Sequence, residues 1–515
     1  MMRWLRMVLQ ILFILALLWV AGRMLFPVPS TEGRPVETAM PFDPATRLGP
    51  RAAEAQAAHP GKSGVLPLPI GLGALHSRIA LARNAERSID VMYYIWHDDV
   101  SGLLLMEALR DAAARGVRVR LLLDDNGIAG LDQSLAAMHA RPNFDVRLFN
   151  PSTIRTPKMA GYALYPLRMN RRMHNKAFIV DGAAAIVGGR NIGNEYFAVG
   201  DEPSYLDLDV LGVGKVVTDT AAIFDEYWNS APVLGLEQVI SGDGDMAAFD
   251  AALEQAKASD AGQAYLASVR TVIDDLTAGR TPQLEWTDVQ VVADDPVKGS
   301  GDVRRDQLMI NRLGNIVGPV ASKMDLISAY FVPSKAGTRY FGEMAKSGAQ
   351  VRILTNAWEA TDVPMVHAGY TKYRRELLED GADLYELKPT GERPKGEQEL
   401  GPIGSSGASL HAKTFVVDDS RVFIGSFNFD PRSALLNCEM GFLIDSPTIA
   451  AGSTRMFDES LIPRSFKPEL KGRDMVWLDP QPDGSTVEID HEPGLGMGSR
   501  IMVYVLNVLP IEWLL

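Results

Sequence analysis

Two short runs of this chain carry the same reactive side chains in the same order. His174, Lys176 and Asp181 stand in HNKAFIVD, and His411, Lys413 and Asp418 stand in HAKTFVVD. A glycine-containing turn and an asparagine follow each at the same distance, GGRN ending at Asn191 and GSFN ending at Asn428. Attack on a phosphodiester needs a nucleophile, positive charge on the non-bridging oxygens and an acid for the leaving alcohol. One imidazole can attack phosphorus and become a phosphohistidine. A second can protonate the leaving oxygen, then deprotonate the incoming alcohol or water. Two lysines supply the charge a metal would otherwise bring, and two asparagine amides can donate to the same oxygens. An isolated His-x-Lys is usually an ordinary polar strand residue. Two copies with matching turns point to phosphodiester chemistry.

For both copies to meet one phosphoryl group, two similar domains must face each other. The surrounding sequence repeats accordingly. DVMYYIW begins at Asp90 and DLISAYFVP at Asp325. Tyr93 and Tyr330 each lie 81 residues before their motif histidine, an equal spacing that reads as structural equivalence. Further strand-like runs are GVRVRLLLDD from Gly116 and AQVRILTNA from Ala349, each preceded by a helix-like stretch. Strand, helix, strand is the pattern of a crossover in an α/β sheet, and a repeat this long indicates duplicated domains. Side-chain alternation puts His174 with Lys176, and His411 with Lys413, on one strand face.

These motifs, with NRRMHNKAFIVDG, GGRNIGNEYF, VHAGYTKYRRELLEDGADLYEL, SLHAKTFVVDD and IGSFNFDPRSALLNCEMGFLID, resemble the phospholipase D superfamily. The bacterial cardiolipin synthase C-like branch is the most similar. The resemblance runs from about Leu68 to the C-terminus. It implies an α/β fold of two similar phospholipase D-type domains packed face to face around one shared active site. It also implies that His174 is the nucleophile and His411 the acid/base, with Asp181 and Asp418 orienting the two rings. In the family an acidic residue after each motif hydrogen-bonds the opposite domain's histidine. Glu439 fits that position in the second half; Glu195 and Asp209 compete for it in the first. The turn residues Gly188, Gly189, Gly425 and Ser426, with Glu195, are expected at the phosphate. Arg171 and Arg172 either attract an anionic headgroup or are plain strand-entry residues. The implied activity is phosphatidyl transfer that makes cardiolipin. Phosphatidylglycerol is the acceptor, and phosphatidylethanolamine or phosphatidylglycerol the donor. Hydrolysis through the same intermediate, of phospholipid or nucleic acid, is the alternative.

No cofactor or metal is expected. His97, beside Asp98 and Asp99, reads as a loop residue, and the lone Cys438 offers no thiolate cluster. The formal net charge of −13 disfavours a nonspecific nucleic-acid partner, which wants a basic groove. Phospholipids and a membrane are the expected partners. Arg3 and Arg6 precede an apolar run from Met7 to Gly22, closed by Arg23. That pattern predicts an uncleaved anchor within residues 1–26, in preference to a cleaved signal. The arginines would stay in the cytoplasm, and the body would sit on the periplasmic side of a bacterial inner membrane. Residues 27–67, rich in Pro, Gly and Ala, read as a linker. The first domain is expected over 68–240, a connecting segment with a helix and a strand over 241–312, and the second domain over 313–515. The stretch KPTGERPKGEQELGPIGSSGAS reads as a loop at the pocket mouth. The apolar end IMVYVLNVLPIEWLL is too short to span and reads as a core or surface-packing element near lipid.

Overall fold

The computed structural model describes residues 2–201, 203–277, 283–389, 410–509 and 512–514. Most of the loop before His411 lies outside the described residues. The chain opens with helix α1 (Met2–Leu25), followed by α2 (Gly49–Ala58), β1 (Ser63–Leu68), α3 (Gly71–Asn84) and β2 (Ser88–Ile95). Then come α4 (Val100–Ala114), β3 (Arg118–Gly127), α5 (Asp132–His139), β4 (Phe144–Phe149), α6 (Ala160–Leu164) and α7 (Pro166–Met169). The hairpin β5 (Ala177–Val180) and β6 (Ala184–Gly188) carries the first motif. It precedes α8 (Asn194–Phe197), β7 (Asp209–Gly214), α9 (Lys215–Trp228) and β8 (Val233–Gly235). Helices α10 (Met246–Ala258) and α11 (Asp260–Thr277) lead to β9 (Glu285–Ala293).

The second half runs α12 (Met309–Val317), β10 (Lys323–Ser328), α13 (Ser334–Lys346), β11 (Gln350–Asn356), α14 (Pro364–Glu379) and β12 (Asp383–Leu387). Its motif hairpin is β13 (Lys413–Val417) and β14 (Arg421–Gly425). After it come α15 (Pro431–Leu435), β15 (Met440–Asp445), α16 (Pro447–Met456) and β16 (Ser465–Lys471). A terminal hairpin, β17 (Asp474–Pro480) and β18 (Thr486–Ile489), precedes α17 (Met497–Val508).

Two sheets repeat one strand order. The first runs β1–β7–β6–β5–β2–β3–β4–β8, and the second β9–β15–β14–β13–β10–β11–β12–β16. The central strands β2, β3 and β4 are parallel, as are β10, β11 and β12. Their crossover helices are α4 and α5 in one half and α13 and α14 in the other. Strands buried on both faces read as apolar runs, as Leu121–Leu123 does in β3. Strand β9 joins the two sheets. Its first residues pair with β1 and the rest with β15. One apolar core lies beneath α3, α4 and α5, another beneath α12, α13 and α14. A third draws residues from both sheets, including Val187, Val210, Ile424 and Phe442, with Phe224 and Trp228 of α9.

The register corrects one expectation from spacing. Asp90 lies opposite Ile179, and Asp325 opposite Val416. Ile179 and Val416 each stand five residues after their motif histidine. Asp90 therefore matches Asp325, and Tyr330 matches Ile95 rather than Tyr93. The equal spacing of the two tyrosines is a coincidence of loop length. The true repeat carries a buried ion pair. Arg120 Nε meets Asp90 at 2.6 Å, and Arg352 Nε meets Asp325 at 2.6 Å.

The stretch 27–67, expected as a linker, is laid against the body. It contains α2 and β1, and β1 pairs with both β7 and β9. Upstream, Glu37 accepts from Arg147 Nη2 at 2.5 Å and Trp228 Nε1 at 3.2 Å, and Ala39 N donates to Asp225. Proline and glycine set the backbone's shape there, while isolated polar residues dock it; neither leaves a periodic signal. Helix α1 is apolar and not buried against the rest of the protein along its apolar stretch. At about 1.5 Å per residue its 24 residues exceed a ~30 Å hydrocarbon core. Its end is fixed to the body. Phe26 O accepts from Thr153 Oγ1 and Tyr165 Oη, and Arg23 lies over the Tyr165 ring.

Candidate active site

Each motif histidine sits just ahead of its strand, in a segment pinned to the other half. Met173 forms a parallel bridge with Cys438, and Leu410 with Leu206. His174 N donates to Cys438 O and His411 N to Leu206 O, each at 2.8 Å. Behind each segment a central strand supplies a polar clamp. Asp124 Oδ2 accepts from Met173 N at 2.7 Å, and Asn356 Oδ1 accepts from Leu410 N at 2.9 Å. These two residues occupy matching positions, four after Arg120 and Arg352. Sequence reasoning missed them, because one is Asp and the other Asn.

The next residue across each bridge is a carboxylate that meets the ring. Glu439 Oε2 lies 2.8 Å from His174 Nδ1, and Asp207 Oδ2 lies 2.6 Å from His411 Nδ1. Each half thus lends an acid to the histidine of the other. In the second half the acid is Glu439. In the first half the acid is Asp207, neither of the two candidates weighed. Asp209 instead pairs with Arg78 at 2.8 Å, and Glu195 meets His97 at 3.1 Å. Asp207 escaped because it follows Asn191 by sixteen residues, whereas Glu439 follows Asn428 by eleven.

Asp181 and Asp418 do not touch the rings. Asp181 accepts from the backbone amides of Glu86, Arg87 and Ser88. Asp418 accepts from those of Ala321, Ser322 and Lys323. Both lie at the far end of the motif strand, with positive φ. A strand residue seven positions from the histidine is too far along to reach its ring. These aspartates tie the hairpin to the start of β2 or β10.

Lys176 Nζ donates to His174 O at 2.7 Å, and Lys413 Nζ donates to His411 O. Asn191 Oδ1 accepts from Ile95 N and Asn428 Oδ1 from Tyr330 N. The Asn191 amide nitrogen is buried without a hydrogen bond, with Tyr196 as its neighbour. Ser426 Oγ donates to Glu439 Oε2 at 2.5 Å and accepts from Met440 N. Its counterpart Gly189 has no room for a side chain, since a Cβ there would collide with the Asp207 carboxylate. Gly188 and Gly425 likewise abut β7 and β15 closely. Asp294, at the end of β9, holds the Glu439 backbone with two 2.9 Å bonds. Tyr94 sits edge-on to His174; Tyr196 and Tyr205 flank His411.

The arginines before the first motif divide. Arg172 is buried and committed to Asp124, the Asn150 carbonyl and the Arg171 carbonyl, so it braces the segment instead of facing a ligand. Arg171 donates to Leu167 O. Cys438 is buried and free. His97, Asp99 and Glu195 lie close enough to share a cation. Asp99 caps α4 through Gly102 N and accepts from Asn194 N, which already explains that carboxylate.

Burial and charge set the titration of the site. Burial, with Lys176 and Lys413 nearby, holds His174 well below the usual imidazole range. Burial and Lys413 bring His411 down to about 4, against the pull of Asp207. Burial lowers Lys176 to about 7, with Glu439 opposing and Lys413 assisting. Burial raises Glu439 to about 7, although Lys176 opposes it. For Asp207 burial pushes upward, but His411, Lys413 and Arg190 outweigh it and keep the group below the usual carboxylate range. The two His–carboxylate pairs are therefore unlike: one carboxyl holds its proton up to about neutrality, and the other stays anionic.

Comparison with known proteins places the chain in a family. The family described as "Cardiolipin synthase, PLD-like domain" matches residues 79–228 and 320–461. Cardiolipin synthase C of Escherichia coli K12 is 45% identical over 463 residues, covering 89% of this chain and 97% of that protein. A cardiolipin synthase of Listeria monocytogenes HCC23 is 26% identical over 405 residues, or 78% of this chain and 69% of its own. The crystal structure of phosphatidylserine synthase from Haemophilus influenzae Rd KW20 covers 90% of this chain and 100% of its own. Its TM-score is 0.57 at 13% identity, a likeness of fold.

Proposed function

The chain belongs to the phospholipase D-like cardiolipin synthase family, and from that premise we propose that it is a phosphatidyltransferase making cardiolipin. One active site is shared by the two halves. The observation that carries this reading is the exchange of acids, Glu439 onto His174 and Asp207 onto His411. It brings two imidazoles and two lysines under one set of charges.

His174 is the nucleophile. Once Glu439 is ionised, Nδ1–H donates to it and the ring's lone pair lies on Nε2, while its depressed basicity keeps the ring neutral. Nε2 attacks the phosphorus of the donor lipid, and the bond to the headgroup oxygen breaks. His411 gives its proton to that oxygen. The anionic Asp207 stabilises the imidazolium, and the bound phosphate anion adds to that effect. The primary hydroxyl of phosphatidylglycerol then loses its proton to His411 and attacks phosphorus. The P–N bond breaks, releasing cardiolipin and neutral His174. Lys176, Lys413 and the amides of Asn191 and Asn428 stabilise charge on the phosphorane. The donor is phosphatidylethanolamine or a second phosphatidylglycerol.

Phospholipids and the bilayer are the partners. Helix α1 is the anchor, Arg3 and Arg6 stay in the cytoplasm, and the body works on the periplasmic side. The test is a mass-spectrometric product assay on the membrane-bound chain with isotopically distinct phosphatidylglycerol and phosphatidylethanolamine. Cardiolipin is expected, carrying both labels with ethanolamine released if phosphatidylethanolamine is the donor, or the phosphatidylglycerol label alone if a second phosphatidylglycerol is. Phosphatidic acid as sole product would make the chain a hydrolase.

A further inference from the structure

We propose that the second half holds one acyl chain of the phospholipid substrate in an apolar cavity between α12, α13 and the C-terminal segment. The inference rests on the phosphatidyl-transfer reading above. The cavity measures about 1090 Å³. That is just above the roughly 300–1,000 Å³ typical of small-molecule sites. Its wall includes Leu313, Val332, Tyr340, Phe341, Phe415 and Phe427.

The repeat explains why space exists there. In the first half the matching helices α3 and α4 pack on each other, with Leu75, Ile79, Leu105 and Leu109 fully enclosed. In the second half the cavity lies between α12 and α13. Gly314 and Gly337 line it without side chains, and a Cβ on Gly314 would meet nothing. Protein interiors are normally close-packed, and empty apolar space forfeits dispersion contacts. A space of this size is built for an occupant.

Three observations select an acyl chain. The lining is mostly apolar; of its charged groups, Lys372 and Glu512 neutralise each other at 2.5 Å, and Asp430 is engaged as the cap of α15 through Ser433 N. The inner end reaches Phe427 and Phe429, on either side of the motif residue Asn428, so a chain in the cavity leads towards the phosphate site. The outer end carries the exposed Leu435, Leu509 and Trp513, beside the exposed Ile501 and Tyr504 of α17. Helix α1 packs on α6, and Arg432 of α15 bonds Asn170, just after α7, so a run of contacts links the anchor to the helix that lines the mouth.

The test uses the full chain in phosphatidylglycerol nanodiscs containing a phosphatidylglycerol with a photoactivatable diazirine on one acyl chain. Peptide mapping is expected to find label within residues 310–319 and 332–341. Gly314→Trp and Ala434→Phe, which fill the space, should each lower that label roughly tenfold. They should also raise KM for long-chain lipid while kcat on a short-chain soluble phosphatidylglycerol holds. Melting curves verify that both variants fold, and one folded variant suffices. Label confined to α1 and α17, or undiminished in a folded variant, would overturn the proposal. So would cavity label that appears only after removal of residues 509–515, since the chain's own end would then be the occupant. Cardiolipin synthesis without cavity label rejects the cavity alone. Cavity label without any phosphatidyl transfer supports the cavity and rejects the enzymatic reading.

Discussion

At the scale of the residue, the two acids that meet the histidines carry the most specific consequences. Glu439→Gln and Asp207→Asn each remove an ionisable partner while keeping shape. We expect kcat to fall by about two orders of magnitude or more, with little change in melting temperature. Asp181→Asn should behave in the opposite way. It weakens three backbone hydrogen bonds that tie the hairpin to β2, so stability drops by about 1–3 kcal/mol while kcat of the folded fraction holds. Equal kcat losses from Asp181→Asn and Asp207→Asn would contradict this division. The pH profile gives a second check. Lys176 helps only while charged, and burial brings it down to about 7. The free enzyme therefore loses positive charge at the site as pH rises through that value, and kcat/KM should decline above it. Lys176→Arg stays charged and should remove that decline at a lower absolute rate; a decline that persists in the arginine variant would assign it to another group. His174, Lys176, Asn191, His411, Lys413 and Asn428 stood out because duplication exposes shared spacing, and Glu439 through the family resemblance. Asp207, Asp124, Asn356 and Asp294 did not. They act across the interface or from neighbouring strands, where loop lengths differ and residue types are not repeated.

At the scale of the element, the central strands do two tasks with one repeated pattern. Asp90–Arg120 and Asp325–Arg352 lock adjacent parallel strands, and four residues later Asp124 and Asn356 clamp the segments that carry the histidines. Removing one member of a buried pair leaves the other uncompensated. Asp325→Ala should therefore cost about 3–5 kcal/mol, read as a lowered denaturation midpoint. A loss below about 1 kcal/mol would mean that Arg352 is satisfied by Asp458 alone. The strands and crossover helices were readable from apolar runs and helical periodicity. The equal 81-residue tyrosine spacing misled because a strand register is fixed by pairing partners, and a two-residue difference in loop length shifts the count without changing the fold.

At the scale of the whole molecule, the halves are joined by more than a connector. Strand β9 pairs with both sheets, and each motif segment bridges to the other half. Composition hid this, since a polar Pro/Gly-rich stretch such as 27–67 reads the same whether it is free or laid along a surface. With α1 as the proposed anchor, its fixed end would keep the site at a set distance from the bilayer. Lengthening the chain after Phe26 with a flexible insert should reduce activity on membranes while sparing a soluble short-chain substrate. Protease added to spheroplasts is expected to digest the body; protection in sealed spheroplasts would reverse the proposed topology.

The covalent intermediate is the most direct test of the whole scheme. The chain would be quenched within its first turnover on phosphate-labelled phosphatidylglycerol and, separately, phosphate-labelled phosphatidylethanolamine, and the labelled peptides mapped. The expected result is an acid-labile, base-stable phosphoryl label on His174, absent in His174→Ala and retained in Asp181→Asn. Label on His411 would reverse the two roles, and no label at any quench time would replace the phosphohistidine with direct displacement by the acceptor alcohol.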